Sequence, residues 1–363
     1  MADINWTVSI GGTSFTTITQ SLSFNWGRTS YFDTPTGNSC TLTVRNNTGQ
    51  AANINEGEQI VIGNQFSLSS MYFYVAEVTF QDDIATNGNT ATISGIDALG
   101  MMSRYYVNDD PIIGTTNAIR QAVKLANEVY PFVPPYPPPV EYDGRAIVSD
   151  AFDPTTIGQR IVELLLTENT TYWYDGATIE FRRSAGPGTT LFAFTQSQST
   201  GLVYNGLTRK YPNANYPNIV NLSSTVVGTT YAGAPANYER NYNRQVLFNN
   251  SAQQQAQTDW YANVLSQESL YVDLRFNAKQ EGDLYMTAFL DELPTMSGGT
   301  TTVTYTPPGG SATTTRFVIE GGSVSIIPGS SDFTLYLSPT VVYDLFTLNS
   351  STFGVLNTNR LGW

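Results

Sequence analysis

Alternation with a period of two dominates both ends of this chain and limits what it can fold into. In Ser39-Cys40-Thr41-Leu42-Thr43-Val44, every second side chain is apolar, so Cys40, Leu42 and Val44 share one face of a strand. The same pattern recurs in Trp6-Val8-Ile10, Leu22-Phe24-Trp26, Ile60-Ile62 and Tyr72-Tyr74. Gly11-Gly12, Pro35-Thr36-Gly37, Asn47-Thr48-Gly49 and Asn87-Gly88-Asn89 punctuate these runs as turns. Residues 1–100 therefore read as an all-β domain, a small barrel or sandwich. With 363 residues, the chain is long enough for two or more domains.

Between 101 and 190 the pattern becomes mixed α/β. A helix is expected after Thr115 or Thr116, with Ile119, Val123, Ala126 and Tyr130 on one stripe, ended by Pro131. The proline-rich run 131–139 must be extended. A second helix is expected from Asp153-Pro154, with Ile157, Ile161, Leu164 and Leu165 on its apolar face. Tyr172-Trp173-Tyr174 then enters a hairpin across Asp175-Gly176. Residues 191–270 read as strand and loop followed by a helix over 251–264, with Ala252, Ala256, Trp260 and Val264 on one face at four-residue spacing. From 271 to 363, β alternation returns in Val272-Leu274-Phe276, the Thr-rich run 300–306, Phe317-Ile319, Val324-Ile326 and Phe333-Leu335-Leu337. The stretch from Phe73 through Ser94 is weakly similar to the stretch from Phe317 through Leu337, which suggests an internal repeat. The expected fold is mainly β with α+β elements, two β-barrel domains flanking a mixed α/β middle.

Composition closes off several functions. There is no histidine, so the chain supplies no Ser-His-Asp triad, Cys-His pair or His-containing zinc site. Cys40 is the single cysteine and reads as a small buried hydrophobe. The N-terminus has neither the basic nor the apolar segment of a signal peptide, and no apolar run is long enough to span a membrane. Asn221-Leu222-Ser223 matches a glycosylation triplet, as an Asn- and Thr-rich composition produces by chance. Gly309-Gly310 and Gly321-Gly322 lack the rest of a phosphate-loop pattern, so no nucleotide or other cofactor is expected. The formal net charge of −13 argues against binding DNA phosphates.

Three acid pairs, Asp82-Asp83, Asp109-Asp110 and Asp291-Glu292, satisfy the bare requirement of a glycosidase for two carboxylates, but read as solvated loop residues. Tyr172-Trp173-Tyr174 offers rings for stacking on sugar, yet its alternation favours packing against the preceding helix.

The order of segments resembles the hub proteins, or minor tail proteins, of long-tailed bacteriophages. The resemblance is carried by Phe24-Asn25-Trp26-Gly27-Arg28, Cys40 through Gly49, Gly57 through Ile62, Ile219-Val220-Asn221-Leu222, Tyr242-Asn243-Arg244 and the Gln- and Ala-rich helix at 251–266. Phe317 through Gly321, Phe333 through Pro339, Phe346-Thr347-Leu348 and Gly354 through Trp363 continue it. The proline-rich run departs from the family pattern. The resemblance implies a non-enzymatic, ring-forming component of the tail tip in the virion, assembled in the host cytoplasm. Three copies would present six barrels to a sixfold tube, connect it to the distal tail protein, tape measure and fibres, and let DNA pass. Asp82, Asp83, Asp291 and Glu292 would then be candidates for acids that face the lumen and repel phosphate, whereas plain solubility explains the same charge. A carbohydrate-binding tail module or a cell-wall glycosidase is the alternative reading.

Overall fold

The computed structural model describes residues 4–31, 33–65, 67–82, 88–105, 116–117, 125, 146–147, 156–168, 170–174, 179–183, 190–196, 201–210, 218–233, 241–266, 271–277, 283–293 and 296–340. The alternating N-terminal runs form β1 (Trp6–Ile10), β2 (Thr13–Ser14), β3 (Thr19–Gly27), β4 (Ser39–Arg45), β5 (Gln59–Asn64), β6 (Ser67–Gln81) and β7 (Thr90–Ile96), followed by helix α1 (Ala98–Met102). The middle holds β8 (Thr116–Asn117), β9 (Ala146–Ile147), α2 (Ile157–Glu168), β10 (Thr170–Tyr174), β11 (Ile179–Arg183), β12 (Thr190–Thr195) and β13 (Leu202–Val203). Then come β14 (Gly206–Lys210), β15 (Ile219–Ser224), β16 (Gly228–Gly233), β17 (Asn241–Gln245) and α3 (Ser251–Ser266). The chain continues through β18 (Tyr271–Asn277), α4 (Asp283–Glu292), β19 (Thr300–Tyr305), β20 (Thr313–Ile327) and β21 (Ser330–Pro339).

Strands from both β regions join one 14-stranded sheet, which does not close on itself among the described residues. Within it the internal repeat becomes explicit. The N-terminal half has the order β5-β6-β7-β4-β3, and the C-terminal half has the order β19-β20-β21-β18-β14. Strand for strand, the two halves have the same chain order and the same antiparallel pairing. The fourth strand of each half carries a bulge at matching positions, between Val75 and Glu77 in β6 and between Ile319 and Gly321 in β20. A bulge bends its strand, so a single long strand serves two neighbours in turn. The halves differ outside this unit: β1 runs antiparallel to β5, whereas β12 runs parallel to β19.

The halves are joined edge to edge where β20 pairs with β3, from Gly321↔Gly27 to Ile326↔Leu22. The apolar faces of both halves merge there into one core, with Phe24, Leu42, Ile60, Phe73, Phe276, Phe289, Phe317 and Phe333 all buried. Trp6 crosses between them. Its ring lies 5.9 Å from that of Phe24 and 6.4 Å from that of Phe333, and its Nε1 donates to Ser331 Oγ at 2.9 Å. Cys40 sits in this core, and burial pushes its thiol up to about 12.

Several sequence expectations hold. Ile157, Ile161, Leu164 and Leu165 are the buried face of α2, and Tyr172 of the β10–β11 hairpin packs in the same cluster. Two others need correction. A helix, α4, interrupts the C-terminal β region, because Met286, Phe289, Leu290 and Leu293 recur at helical spacing and enter the core. Helix α3 is present, but Ala252 and Ala256 are exposed, and its buried face is Gln254, Gln257, Thr258 and Tyr261. Gln254 Nε2 donates to the carbonyls of Leu222 and Gly228 at 2.7 and 2.8 Å, and Thr258 Oγ1 meets Thr230 Oγ1 at 2.7 Å. The helix docks through hydrogen bonds that apolar periodicity does not register. Thr116–Asn117 pair with Ala146–Ile147, while the stripe expected on the first helix, the proline-rich run, Asp153-Pro154 and the hairpin turn lie outside the described residues.

The junction fixes its glycines by space. Gly27 has φ +67°, and a Cβ there would stand 2.2 Å from the Glu320 carbonyl oxygen, whereas Gly309, at φ +72°, has nothing within 4 Å. Both substitutions to alanine incur the left-handed backbone penalty, and only the first also forces the strands apart. Gly309→Ala is expected to cost about 1 kcal/mol and Gly27→Ala at least about 3 kcal/mol in urea unfolding; equal costs would show that the junction is not closely packed.

Candidate functional site

Three of the sequence-predicted acids lie among the described residues. Asp82 is exposed just past the end of β6, and Asp291 and Glu292 are exposed in the last turn of α4 rather than in a loop beside a strand. Asp83, Asp109 and Asp110 lie outside the described residues. Among the described residues there is no group of three or more metal-ligating side chains, and no helix is long and apolar enough to cross a membrane.

Two buried polar centres that the sequence reading did not single out stand where parts of the fold meet. The first joins the two halves. Arg28 follows the last residue of β3, and its Nε lies 2.8 Å from Oε2 of Glu320, the bulged residue of β20, with side-chain exposures of 7% and 2%. The Arg28 backbone N–H also donates to the Glu320 carbonyl at 3.1 Å. The guanidinium covers the ring of Tyr31 at 4.8 Å, and Tyr31 leads on to Trp260 and Tyr261 at centroid distances of 5.5 and 6.1 Å. Tyr261 in turn packs 5.3 Å from Tyr242, which lies under Arg244 at 4.5 Å. This chain of rings fastens the β15–β16–β17 sheet and α3 to the joint between the halves. Burial, followed by the neighbouring Tyr242, pushes the Tyr261 hydroxyl far above its usual range, so it stays neutral.

The second centre holds the middle region to the N-terminal half. Asp97 caps α1, its Oδ1 accepting from the Gly100 N–H at 2.9 Å. The Tyr172 hydroxyl donates to Asp97 Oδ2 at 2.7 Å, and the carboxyl is 1% exposed. Burial raises its pKa from 3.8 to about 6 against the opposing hydrogen bonds, and burial with the facing carboxylate keeps Tyr172 protonated. Asp97 directly before Ala98-Leu99 is the helix-start signal that could have revealed it. Both centres are joints between parts of the fold.

The sign of the Asp97 effect follows from its raised value. Folding favours the protonated form, so its contribution is fully present below pH 3.8 and is lost as pH rises through about 6. Asp97→Asn removes the titration while keeping an acceptor for Gly100. Relative to that variant, the wild-type chain is expected to gain up to about 3 kcal/mol in urea unfolding between pH 7 and pH 4. Parallel stability curves for the two would show that Asp97 does not titrate in this window.

No protein-family model and no curated protein sequence matches the chain. Solved structures do. The tail protein from Neisseria meningitidis superposes with a TM-score of 0.66 at 12% identity, covering 94% of this chain and 98% of that one. The 43 kDa tail protein of prophage MuSo2 from Shewanella oneidensis gives 0.57 at 8% identity, with the same 94% and 98% coverage. The E. coli c3393 protein, a component of the type VI secretion system with structural similarity to the T4 bacteriophage tail proteins gp27 and gp5, gives 0.54 at 11% identity, covering 96% of this chain and 78% of that one. At these identities the likeness is one of fold, and it runs through nearly the whole chain: this protein has the fold of phage tail proteins.

Proposed function

We propose that the protein is a non-enzymatic structural component of a phage tail tip, a hub whose copies form a ring between the tail tube and the distal tail or fibre proteins. The observation that carries this reading is the doubled unit. Each chain holds two β units of identical strand order, joined side by side, and a tail-protein fold surrounds them. Each unit acts as one tube-like barrel, so three chains supply six similar units to a sixfold tube. The proposal includes tail proteins as partners and passage of DNA through the ring.

The channel wall in this reading is a surface that the two halves share. On the side of the sheet away from the core, a single row crosses the joint: Asp332, Ser325, Ser23, Thr41, Ser94 and Glu77, each paired with the next. The neighbouring row holds Thr334, Ser323, Asn25 and Ser39. The first row contains no lysine or arginine and its acids stand only at the ends, whereas the second runs on from Thr334 to the exposed Arg275 of β18. Hydroxyl and amide groups offer a phosphate backbone no ionic hold, so a duplex would slide over this face without the counterion-release term that anchors DNA to basic proteins. In this reading the hydroxyl-lined row is the wall, and Asp82, Asp83, Asp291 and Glu292 are proposed for its inner rim.

Mass photometry of the purified protein, alone and with its neighbouring tail proteins, is expected to show a trimer in at least one of the two conditions. A monomer or a hexamer in both would sink the ring of three. In assembled particles, Ser23→Lys with Thr41→Lys is expected to slow DNA ejection, most strongly at low salt, because the range of the added charges is only about 8 Å at physiological ionic strength. Particles that assemble and eject at the normal rate across salt concentrations would remove this face from the channel.

A further inference from the structure

The three-stranded sheet β16-β15-β17 has two unlike faces. On one, Val220, Leu222 and Tyr242 are buried against α3 and the rings around Tyr31. The other meets water, and a single row crosses it: Tyr231 of β16 stands opposite Asn221 of β15, which stands opposite Asn243 of β17. Tyr231 is 72% exposed, more than any other large apolar side chain among the described residues. No outward position of the three strands carries a charge. Arg244, the one charged residue within them, lies on the other side, over the Tyr242 ring.

We propose that this face binds a neutral polysaccharide, with one sugar ring stacked on Tyr231 and its hydroxyls held by the carboxamides of the row. A pyranose ring has a face of C–H groups and a rim of hydroxyls. The exposed tyrosine ring covers the first and leaves water in doing so. Carboxamides, which both donate and accept, match the second. They are oriented before any ligand arrives, because Asn221 Nδ2 donates to Asn243 Oδ1 at 2.8 Å and to Asn241 Oδ1 at 3.3 Å. Those contacts engage the donors of Asn221; its Oδ1 and the Nδ2 groups of Asn241 and Asn243 take no part in them and can meet sugar hydroxyls. The strand beneath Tyr231 is pinned as well, since Gln254 and Gln255 of α3 donate to the carbonyls of Gly228 and Tyr231 at 2.8 and 3.3 Å. A surface ordered in advance loses less entropy on binding.

Charge and area both select this occupant. On a chain of net charge −13, a face without charge offers no ionic contact to a phosphate, a uronic acid or a charged peptide, and suits a ligand whose polarity lies in hydroxyls. Three strands of this length present a face of about 10 by 20 Å. That is far below the ~800 Å² each partner gives to a stable protein contact, and it is on the scale of a short stretch of glycan. The site is independent of the hub reading, which the oligomeric state tests separately.

Saturation-transfer NMR on the full chain tests it, with a panel of neutral oligosaccharides built from glucose, galactose, mannose, rhamnose or N-acetylglucosamine and with trigalacturonic acid as the acidic comparison. At least one neutral probe is expected to bind through the C–H protons of one ring face, and the acidic probe is not. Tyr231→Ala is expected to weaken that binding about tenfold or more, and Asn243→Ala about threefold or more. Tyr231→Phe should keep most of it, and Phe80→Ala, which removes an exposed ring elsewhere, should leave it unchanged. These side chains are exposed, so the unfolding midpoints should stay together. Binding of no neutral probe, equal binding of the acidic one, or binding that survives Tyr231→Ala would each overturn the proposal. A chain that binds no sugar, and whose Tyr231 is shielded from acetylation by N-acetylimidazole in assembled particles, would give the face to a neighbouring protein instead.

Discussion

The buried contact between Arg28 and Glu320 is the point on which the assembled fold turns. The two residues are 292 positions apart, yet the Arg28 guanidinium, its backbone N–H and the Glu320 carboxylate and carbonyl interlock at the seam between the halves. A charge taken out of water at this depth is costly unless it is paired, so neither residue tolerates the absence of the other. The net stabilisation from such a pair is small or even unfavourable relative to apolar packing, but it penalises any register other than the one that brings the charges together. Gly27 and Gly321 make the same demand sterically, because each lies against the opposite strand's backbone at a distance no side chain accepts. The seam is thus specified by charge and by space, while the merged apolar core supplies the bulk of its free energy.

From the seam, order passes outward through aromatic rings set in an apolar cluster that also includes Val220, Leu222 and Val318. Tyr31, Trp260, Tyr261 and Tyr242 connect Arg28 to Arg244, so the three-stranded sheet and α3 are tied to the same joint that unites the halves. Asp97 and Tyr172 do the corresponding work for α2 and the β10–β11 hairpin. Each attached region therefore reaches the sheet through a buried polar contact with few permitted geometries. That arrangement holds the halves and the regions attached to them in fixed relative positions, because the seam between the halves cannot slide.

Alternation in Cys40-Leu42-Val44 and Phe333-Leu335-Leu337 was sufficient to identify strands and their buried sides, since the two faces of a half-buried strand differ in solvent and the side chains must follow. The apolar stripe of α2 was legible for the same reason. Helix α3 shows where this reasoning stops. Its alanines face water and its glutamines and threonine face the protein, because buried carbonyls of β15 and β16 need donors, and that requirement is invisible until those strands are in place. The missed helix α4 had its signal in Met286, Phe289, Leu290 and Leu293, set within a region whose surroundings alternate as strands. The acid pairs carried no signal at all of their surroundings, and the structure leaves those it describes exposed.

By itself, the sequence determined the strand-rich class, the inward faces of most strands, the absence of histidine chemistry and a faint likeness between two distant segments, because each of these depends on residue type and local period. The tertiary structure alone decided that the likeness is a duplicated five-stranded unit, that the copies join through β3 and β20, and that Arg28 meets Glu320 across the joint. Strand alternation states which face of a strand is buried but contains no term for which edge it pairs with. Neighbour choice is set by long-range fit of backbone, bulge and buried charge, which exists only once both halves are folded.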